Sequence, residues 1–443
     1  MDSVHVTSRP AADRIQTAGS RGYAWSLVVV LAFAYLLSTL DRFLVSVALE
    51  PIKSDLRLTD TQLGLLVGPA FAVSYALFCP ALGRLADVAN RCHLIAAGML
   101  VWSLSTAAVA FSETFGSILA ARAVVGMGEA ALVPAATSLI ATYFAREQLG
   151  RATSVFMAGS ALGKAVAFIG GGALLALLTA AGGLYLGWRF SAWQALFILA
   201  AVPGAVLACF FLFLRDPERA KERQKAAAPP HLSQLLSHLS TRKQAYAFHI
   251  VAATICAMCN NVFLAWSPTF YVRKFALEPS TAAMLAGLAT VVTGVAGFLI
   301  GGASMDALRR RGVGAAPSWI IAAALLLVIA SCALFTLATS LWVSLVGYAI
   351  AQFAVQSTGA ATMVGVQLLT PRPYRGFMIG AYLVILMLGA LGTGPALVGL
   401  ANDQLFAGGS LGWSILIVAA GFGALGVALA WGNTKAFGRA AVE

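Results

Sequence analysis

The stretch GRLADVANR, residues 83 to 91, indicates how this chain is organised, because its pattern occurs a second time. The stretch GASMDALRR, residues 302 to 310, places Gly, Asp and Arg at the same four-residue intervals, 219 positions later. Each copy follows a long apolar run. The repeated residues are Gly83, Asp87 and Arg91 in the first copy and Gly302, Asp306 and Arg310 in the second. Duplication of one structural unit is the simplest explanation.

The composition around the two copies is that of a membrane protein. The 443 residues are 60% hydrophobic and 10% charged, whereas about a quarter of the residues in a soluble domain are charged. The mean hydropathy is +0.85. Twelve apolar runs are long enough to cross about 30 Å of hydrocarbon. They cover residues 24–49, 63–82, 93–112, 116–143, 152–182, 192–214, 245–271, 282–305, 315–338, 341–369, 377–401 and 411–432.

Residues 215–243 separate six runs from six. This segment has a dense charge run, a proline pair and four leucines on one helical face, which predicts a cytoplasmic linker with a short interfacial helix. We therefore predict an all-α membrane protein with two pseudo-symmetric six-helix bundles, residues 24–214 and 244–432. A cytoplasmic N-terminal arm, residues 1–23, and a C-terminal tail, residues 433–443, complete the predicted organisation.

The net charge of +12 follows the membrane topology and does not indicate nucleic-acid binding. With both termini in the cytoplasm, 21 of the 29 Lys and Arg residues fall in cytoplasmic segments and 5 fall outside. This distribution follows the positive-inside rule. The other three, Arg42, Arg122 and Lys164, lie inside apolar runs. We expect the first run to be a retained helix, because no small-residue cleavage pattern follows it.

Motifs of enzyme chemistry and metal binding are weak in this sequence. It has no phosphate-binding loop, no H-E-x-x-H and no G-x-S-x-G. Five of its six cysteines lie in apolar runs, which predicts no disulfide framework. We interpret the lone C-x-x-C of Cys256 and Cys259 as small packing residues. The sequence thus predicts a protein that is not an enzyme and needs no cofactor or metal.

Four ionisable residues of the first and fourth runs are expected to meet inside the membrane. Asp41 and Arg42 lie roughly 12 Å below the outer end of the first run, and Arg122 lies roughly 9 Å below the same surface. Glu129 shares the helical stripe of Arg122 and lies about 10 Å deeper. Each such charge costs roughly 2.5 to 3.5 kcal/mol in a membrane helix, so a functional role is the default hypothesis. Structural pairing is the alternative.

Lys164, in the middle of the fifth run, adds a further buried charge. It either pairs with Glu129 or contacts a substrate. The runs of the second half contain no charged residue. Their polarity comes from amides and hydroxyls, which include Asn260, Asn261 and Gln356 and which often serve only as contacts between helices, at about 0.6 kcal/mol each.

A cavity between the halves would have charged residues on the side of the first half and only uncharged polar groups on the side of the second. Such a cavity suits an amphipathic substrate, with an anionic or zwitterionic head on Arg42 and Arg122 and an apolar tail beside Trp266 and Tyr382. A sugar would favour polar groups on both walls. Because Asp41 and Arg42 project about 100° apart, we expect one to face a cavity and the other to meet a neighbouring helix. Arg42 can grip a phosphate with two hydrogen bonds, and an interhelical ion pair is the alternative for it.

The motifs resemble those of the major facilitator superfamily. GRLADVANR is similar to its Gly-x-x-x-Asp-x-x-x-Arg loop, and RAVVGMGEA, residues 122 to 130, is similar to its Arg-containing fourth-helix motif. LDRF at residues 40 to 43, Asn90, and GMGEA followed by Pro134 together resemble the spinster-like branch. That branch is associated with lysophospholipid and sphingosine-phosphate transport.

The resemblance implies a secondary transporter with its substrate between two six-helix repeats. It implies a headgroup role for Arg42. It also implies a cytoplasmic latch at the two repeated loops, where Gly83, Asp87, Arg91, Asp306 and Arg310 would act in gating. The first loop has Val88 where a basic residue often follows the Asp.

The hypothesis for coupling is that Asp41 and Glu129 exchange protons while Arg122 switches between them and an anionic substrate group. The substrate would then be a lysolipid or a sphingoid phosphate, and protons and the lipid bilayer would be the other partners. We expect a monomer in the cytoplasmic membrane, as in a bacterial inner membrane. A proton-coupled exporter of drugs or small organic anions is the alternative function.

Overall fold

The computed structural model describes residues 21–144, 146–185, 187–216, 232–371 and 374–442. The described chain is almost entirely helical. Eleven helical segments within it are long and apolar enough to span a membrane. The tenth apolar run is also helical, but it is divided at Thr358 into pieces of 17 and 11 residues. The chain therefore forms twelve spans in two six-helix bundles.

The first half contains spans one to six in chain order. They are Arg21–Val47, then Asp60–Val67 with Pro69–Val88, Arg91–Val109, Phe115–Glu129 with Leu132–Tyr143, Arg146–Ala165 with Gly171–Ala180, and Ala192–Phe211. A π-helical turn, Val166–Gly170, joins the two pieces of the fifth span. A short helix, Leu49–Leu56, follows the first span. A hairpin of Leu184–Tyr185 and Arg189–Phe190 precedes the sixth, an addition to the predicted all-α fold.

The second half contains spans seven to twelve. They are Lys243–Phe275, Pro279–Arg310, Ala316–Leu337, Leu341–Ser357 with Gly359–Leu369, Arg375–Leu386 with Gly394–Phe406, and Leu411–Val442. A π-helical turn, Met387–Leu391, joins the pieces of the eleventh span. Interruptions thus occur in the fourth and fifth spans and again in the tenth and eleventh, at equivalent places of the duplicated unit, whereas the second span is interrupted at Gly68 and its counterpart, the eighth, is continuous.

Local sequence explains where several spans begin. Thr59 accepts a hydrogen bond from the backbone N–H of Gln62 at 3.2 Å, and the side chain of Gln62 accepts one from the N–H of Thr59 at 2.9 Å. Thr114 and Ser117 form the same reciprocal cap before the fourth span. Such capping boxes satisfy backbone donors that a helix start leaves free, so both spans begin at defined residues.

The packing of helices has the same pattern in both halves, as duplication predicts. In the first half, span one packs on span five, span four packs on spans two and three, and span three packs on span six. The second half repeats these contacts six spans later: span seven packs on span eleven, span ten packs on spans eight and nine, and span nine packs on span twelve. The halves meet through span five against eight and span two against eleven, which are equivalent contacts, and through one against seven.

The predicted peripheral segments differ in part from the structure. The helix of the twelfth span continues to Val442, so residues 433–442 extend that span and do not form a separate tail. The predicted linker contains the helix Leu232–Thr241, and Leu235 within it is 2% exposed. The rest of the linker, residues 217–231, and most of the N-terminal arm, residues 1–20, lie outside the described residues.

We expect Gly159→Ala to destabilise the first half. A Cβ at Gly159 would overlap the carbonyl oxygen of Ala32 where the fifth span crosses the first, and overpacking of this kind costs about 1–3 kcal/mol. Gly150→Ala in the same helix is the control, because a Cβ there meets nothing within 4 Å. Thermal unfolding of the purified protein checks this, and equal melting temperatures for the two variants would contradict it.

Candidate functional site

An ion pair inside the first half joins Arg42 of the first span to Glu129 of the fourth. Arg42 Nη2 lies 2.6 Å from Glu129 Oε2. Ser38 donates its hydroxyl to the same carboxylate oxygen at 2.7 Å. Because Ser38 and Arg42 are four positions apart, they lie on one face of the helix. Glu129 is therefore held by two groups of the first span.

Two glycines beside Glu129 explain how the fourth span reaches this position. A Cβ at Gly126 would overlap the carbonyl oxygen of Phe71 in the second span. A Cβ at Gly128 would lie 2.8 Å from the carbonyl oxygen of Gly98 in the third span. Small residues allow helix backbones to approach closely inside a membrane. The GMGE sequence thus packs the fourth span tightly between its neighbours and points Glu129 towards the first span.

Arg122 lies beside the same stretch of the first span, as predicted, but its contacts differ from those expected. Its guanidinium donates to the backbone carbonyl oxygens of Asp41 and Arg42, at 3.4 and 3.3 Å. The Asp41 carboxylate instead accepts a hydrogen bond from Thr106 of the third span, at 3.3 Å. The close acid–base pair of this cluster is therefore Arg42 with Glu129, while Asp41 and Glu129 attract Arg122 from a greater distance.

Two aromatic rings of the second span support the arginines. The guanidinium carbon of Arg42 lies 4.4 Å from the centroid of the Phe71 ring and 5.8 Å from that of Tyr75. The guanidinium carbon of Arg122 lies 5.8 Å from Phe71. Guanidinium groups bind aromatic faces through cation–π attraction. These aromatic contacts fix the orientation of Arg42, and we did not predict them, although the four-residue spacing of Phe71 and Tyr75 is visible in the sequence.

The cluster is less open to solvent than we predicted. In this conformation Asp41, Arg122 and Glu129 are only 1–3% exposed. The side chain of Arg42 is 13% exposed, and Lys164 is partly exposed. The open side of the cluster is therefore formed by the two cations, with the carboxylates behind them.

Lys164 does not pair with Glu129, which is one of the two roles that we considered for it. Its Nζ lies 5.8 Å from the centroid of the Phe43 ring. Within the described part of the chain it takes part in no ion pair. The ammonium group of Lys164 is thus a positive charge near Arg42 that no described carboxylate neutralises.

Several buried polar atoms of the cluster have hydrogen-bonding capacity that described residues leave unused. They are Nε of Arg42, Nε of Arg122 and Oε1 of Glu129. Buried polar groups are normally paired, and an unpaired one costs about 1–3 kcal/mol. Oε1 of Glu129 is therefore suited to a proton, and the two Nε–H groups are suited to an acceptor group of a substrate.

The predicted aromatic residues of the second half are packed away in this conformation. Trp266 is 0% exposed and donates its indole N–H to the carbonyl oxygen of Pro395 at 3.0 Å. Tyr382 is 1% exposed. Both belong to a packed hydrophobic cluster that extends through both halves, so neither presents an open surface here.

The predicted amides of the second half have mixed surroundings. Asn261 donates to the carbonyl oxygen of Ala257 in its own helix, at 2.8 Å. Gln356 packs beside Gly297, where the tenth span crosses the eighth. Asn260 has a buried Oδ1 without a partner among the described residues. Of the three, Asn260 alone has an unused buried polar atom.

At the predicted cytoplasmic end, Arg91 ties together helices of the first half. It forms an ion pair with Asp216, beyond the sixth span. It also donates to the hydroxyls of Ser138 and Thr142 in the fourth span, at 3.2 and 2.8 Å. Arg91 is 1% exposed. Its contacts thus lie within one half, and the gating role that the resemblance implies for Arg91 stays a prediction.

The other predicted gating residues have few contacts. Asp306 and Arg310 are exposed. Gly83 faces Pro134, and a Cβ at Gly83 would lie 3.8 Å from the proline ring. The side chain of Asp87 lies outside the described ones, so its gating role stays a prediction. Among the residues that the structure describes, no group of three His, Cys, Asp or Glu side chains is arranged to hold a metal ion.

A polar network at the outer ends of the spans was not predicted. Its centre is Asp60, which is 0% exposed. Asp60 accepts hydrogen bonds from Lys53 at 2.6 Å, from both terminal nitrogens of Arg273 at 2.7 Å, and from Asn402. Arg273 also donates to Glu50 at 2.6 Å. Since Arg273 and Asn402 belong to the second half, the network joins the two halves.

A second set of contacts reinforces this outer network. The backbone N–H and the hydroxyl of Thr61 both donate to Asp403 at 2.7 Å, again from one half to the other. Towards the other membrane face, the inner piece of the fourth span packs mainly on helices of its own half, and so does that of the tenth. The halves are thus joined and closed on the outer side in this conformation.

Comparisons with known proteins agree with this architecture. The Major Facilitator Superfamily model matches residues 31–391. Mouse "Protein spinster homolog 1" is 30% identical over 414 residues, 88% of this chain and 75% of its own length. The rat protein of that name is also 30% identical, over 66% of this chain, and the match spans only 57% of its length. An "MFS-type efflux pump" of Mycolicibacterium smegmatis is 28% identical, over 67% of this chain and 65% of that protein.

A solved structure has the same fold. It is described as a bacterial homolog of the human lysosomal transporter Spinster in an inward-facing and unoccupied conformation. It matches with a TM-score of 0.79 and 22% identity, over 96% of this chain and 98% of the other. With two helical repeats, charged residues inside the first half and matches along most of its length, the chain belongs to the major facilitator superfamily of membrane transporters and to its spinster branch.

Proposed function

We propose that this protein is a secondary active transporter of an amphipathic lipid-like substrate with an anionic or zwitterionic head, of the lysolipid or sphingoid-phosphate type. The observation that carries the proposal is the Arg42–Glu129 ion pair. The partly exposed cation of this pair lies in front of a buried carboxylate, with Lys164 nearby. A headgroup that enters from the open side meets positive charge first.

Competition for Arg42 supplies a way to couple substrate to protons. An anionic head that takes the guanidinium of Arg42 removes the one described residue that forms an ion pair with Glu129. The carboxylate then keeps the hydroxyl of Ser38 and the more distant charge of Arg122. A carboxylate without an ion-pair partner is very costly inside a membrane, so it binds a proton instead. Release of the head would restore the ion pair and free the proton. Arg122 interacts electrostatically with both Glu129 and Asp41. We therefore include both carboxylates among the residues that couple transport to protons.

The uncharged second half supports an apolar tail. The amides predicted to line this half are either bonded within their own helix or packed against another helix, apart from Asn260. A polar substrate such as a sugar would leave its hydroxyls without partners along such a wall. The alkyl tail of a lysolipid has no such requirement. We place Trp266, Tyr382 and Gln356 on this side of the path, to be exposed in other states of the cycle.

Alternating access gives the outer network its role. The bonds of Asp60 and Arg273 join the two halves, so they exist only while the outer side is closed. Opening to the outside must break them, and the superfamily's rocking of one bundle against the other is the motion that does so. The proposal takes the transporter as a monomer in the cytoplasmic membrane, with protons supplying the driving force.

A flux assay in proteoliposomes tests the coupling. Wild-type protein is expected to move labelled lysophosphatidylglycerol faster when a pH gradient is imposed, and Glu129→Gln is expected to lose that stimulation because an amide cannot exchange a proton. Glu113→Gln is the matched control, since Glu113 is exposed in an outer loop. Stimulation of Glu129→Gln equal to that of the control would overturn the coupling role.

Export of drugs or small organic anions is the second candidate, and the mycobacterial efflux-pump relative favours it. Thermal shift separates the two candidates, because a ligand that binds the folded state raises its melting temperature. Lysolipids and sphingoid phosphates are expected to stabilise the purified protein, and short organic acids and hydrophobic cations are not. The opposite ranking would replace the lipid-like substrate with the alternative.

A further inference from the structure

The second half has a groove on its lipid-facing surface, away from the charged cluster of the first half. It has a volume of about 600 Å³ and is lined by spans eight, nine and ten. The tenth span packs closely against both of the other two, whereas the eighth and ninth spans pack far less extensively on each other. The tenth span is therefore the floor of the groove, and the eighth and ninth spans are its walls.

The groove faces the lipid and extends through one leaflet. Ile300 and Leu327 on its walls are 53% and 40% exposed. Along the eighth span it runs from Ile300 to Leu308, or about 12 Å at 1.5 Å per residue. That length is close to half of the roughly 30 Å hydrocarbon thickness of a bilayer. One acyl chain of the inner leaflet matches the groove in depth and in polarity.

Three consecutive arginines close the inner end of the groove. Leu308 and Val313 both line it, and Arg309, Arg310 and Arg311 lie between them and are exposed. None of the three has a carboxylate partner within the described residues. Asp306, one turn earlier, is the nearest acid in this sequence segment and is exposed as well. The positive charge is thus in excess at the level of the lipid headgroups.

Comparison of the two repeats shows that these free charges are special to the second half. Arg91 occupies the position of Arg310 in the first copy, and it is buried and paired with Asp216. Residues 88–90 of the first copy, Val-Ala-Asn, align with residues 307–309 of the second copy, Ala-Leu-Arg. The position of Arg309 is therefore held by an uncharged residue in the first copy. The general excess of inner positive charge therefore does not account for an arginine triplet at the end of this groove.

We propose that the groove and the arginine triplet form a binding site for one anionic phospholipid of the inner leaflet, separate from the transported substrate. The headgroup phosphate lies on Arg309–Arg311 and an acyl chain lies between spans eight and nine. Basic pockets between spans on the cytoplasmic side bind anionic headgroups in this manner. Trp319, 39% exposed in the groove wall, holds the aromatic position typical of the membrane interface.

Trp319 also provides the measurement, since bromine on a lipid chain quenches tryptophan fluorescence only at contact. The full chain is placed in nanodiscs with brominated phosphatidylglycerol or brominated phosphatidylcholine as the minor lipid. The signal of Trp319 is the difference between wild type and Trp319→Phe. We expect half-maximal quenching at a mole fraction at least tenfold lower for the anionic lipid, because each arginine near the surface contributes roughly a fivefold preference.

Three variants distinguish a site from ordinary lipid contact. Replacing Arg309, Arg310 and Arg311 together by Gln is expected to remove the preference for the anionic lipid. Ala323→Phe fills the groove and is expected to reduce quenching by both lipids. Ala330→Phe, on the same face two turns further out, is its control, since Ala330 is exposed and not part of the lining. Equal quenching of wild type by the two lipids, or an unchanged preference in the Gln variant, would overturn the proposal.

Discussion

The Arg273→Ala variant is expected to favour a conformation that is open on the outer side. Arg273 donates to Asp60 and to Glu50, and these three hydrogen bonds from the second half to the first exist only when the outer side is closed. Truncating one partner of a buried charge pair costs roughly 2–5 kcal/mol, and we take about 2 because the arginine side chain is 21% exposed. The ratio of open to closed protein should rise roughly 30-fold.

Spin labels on the outer ends of the two halves would measure this change. Ser54 and Gln404 are exposed positions on opposite halves. Double electron–electron resonance between spin labels at these two sites would report opening as a longer distance. Lys274→Ala is the matched control, because Lys274 donates to the carbonyl oxygen of Thr336 within its own half. Distance distributions that coincide for the two variants would contradict a gating role for Arg273.

The fold could be predicted from sequence because its evidence is repeated and redundant. The twelve apolar runs give the number of spans, and the duplicated Gly, Asp and Arg pattern independently indicates that they divide into two six-helix halves. The equivalent packing of the halves follows from the duplication itself. The hairpin before the sixth span and the helical continuation beyond residue 432 had no such support. Short segments at helix ends depend on local tertiary contacts that periodicity does not report.

The site was predicted at the level of residues and only partly at the level of contacts. Depth along a helix follows from counting residues at 1.5 Å each, so the approach of Arg122 to the Asp41–Arg42 stretch of the first span could be expected. Whether Arg42 or Arg122 pairs with Glu129 depends on the rotation of the first and fourth spans about their axes. That rotation is set here by Gly126 and Gly128, whose close contacts bring the fourth span against its neighbours.

The outer network was missed for a different reason. Asp60 and Arg273 are separated by 213 positions and lie at helix ends, where charged residues are ordinary. Nothing in the sequence distinguishes a solvated charge from one that crosses between halves. The contact also belongs to one conformation of the protein, and a sequence encodes every conformation of the cycle at once. The duplication did not indicate this network either, because neither Asp60 nor Arg273 belongs to the repeated Gly, Asp and Arg pattern.

The Arg42–Glu129 pair allows a structural role to be separated from a binding role, and a double variant provides the separation. Arg42→Gln leaves the carboxylate of Glu129 with Ser38 as its one hydrogen-bond partner among the described residues, and breaking a buried pair in this manner costs about 3–5 kcal/mol. Adding Glu129→Gln removes the second charge, so the melting temperature of the double variant should return close to that of wild type. Replacing both members of a buried pair is often neutral.

Binding of the substrate should follow a different order. Lysophosphatidylglycerol is expected to raise the melting temperature of wild type and, more strongly, of Glu129→Gln, where Arg42 no longer has a competing carboxylate. Both Arg42→Gln and the double variant should lose this shift, since a headgroup then lacks its bidentate donor. Arg189→Gln, in the exposed outer hairpin, is the control. If the double variant regains both stability and the full ligand shift, Arg42 serves only to neutralise Glu129, and the headgroup must bind elsewhere, with Arg122 and Lys164 the remaining cations beside Arg42.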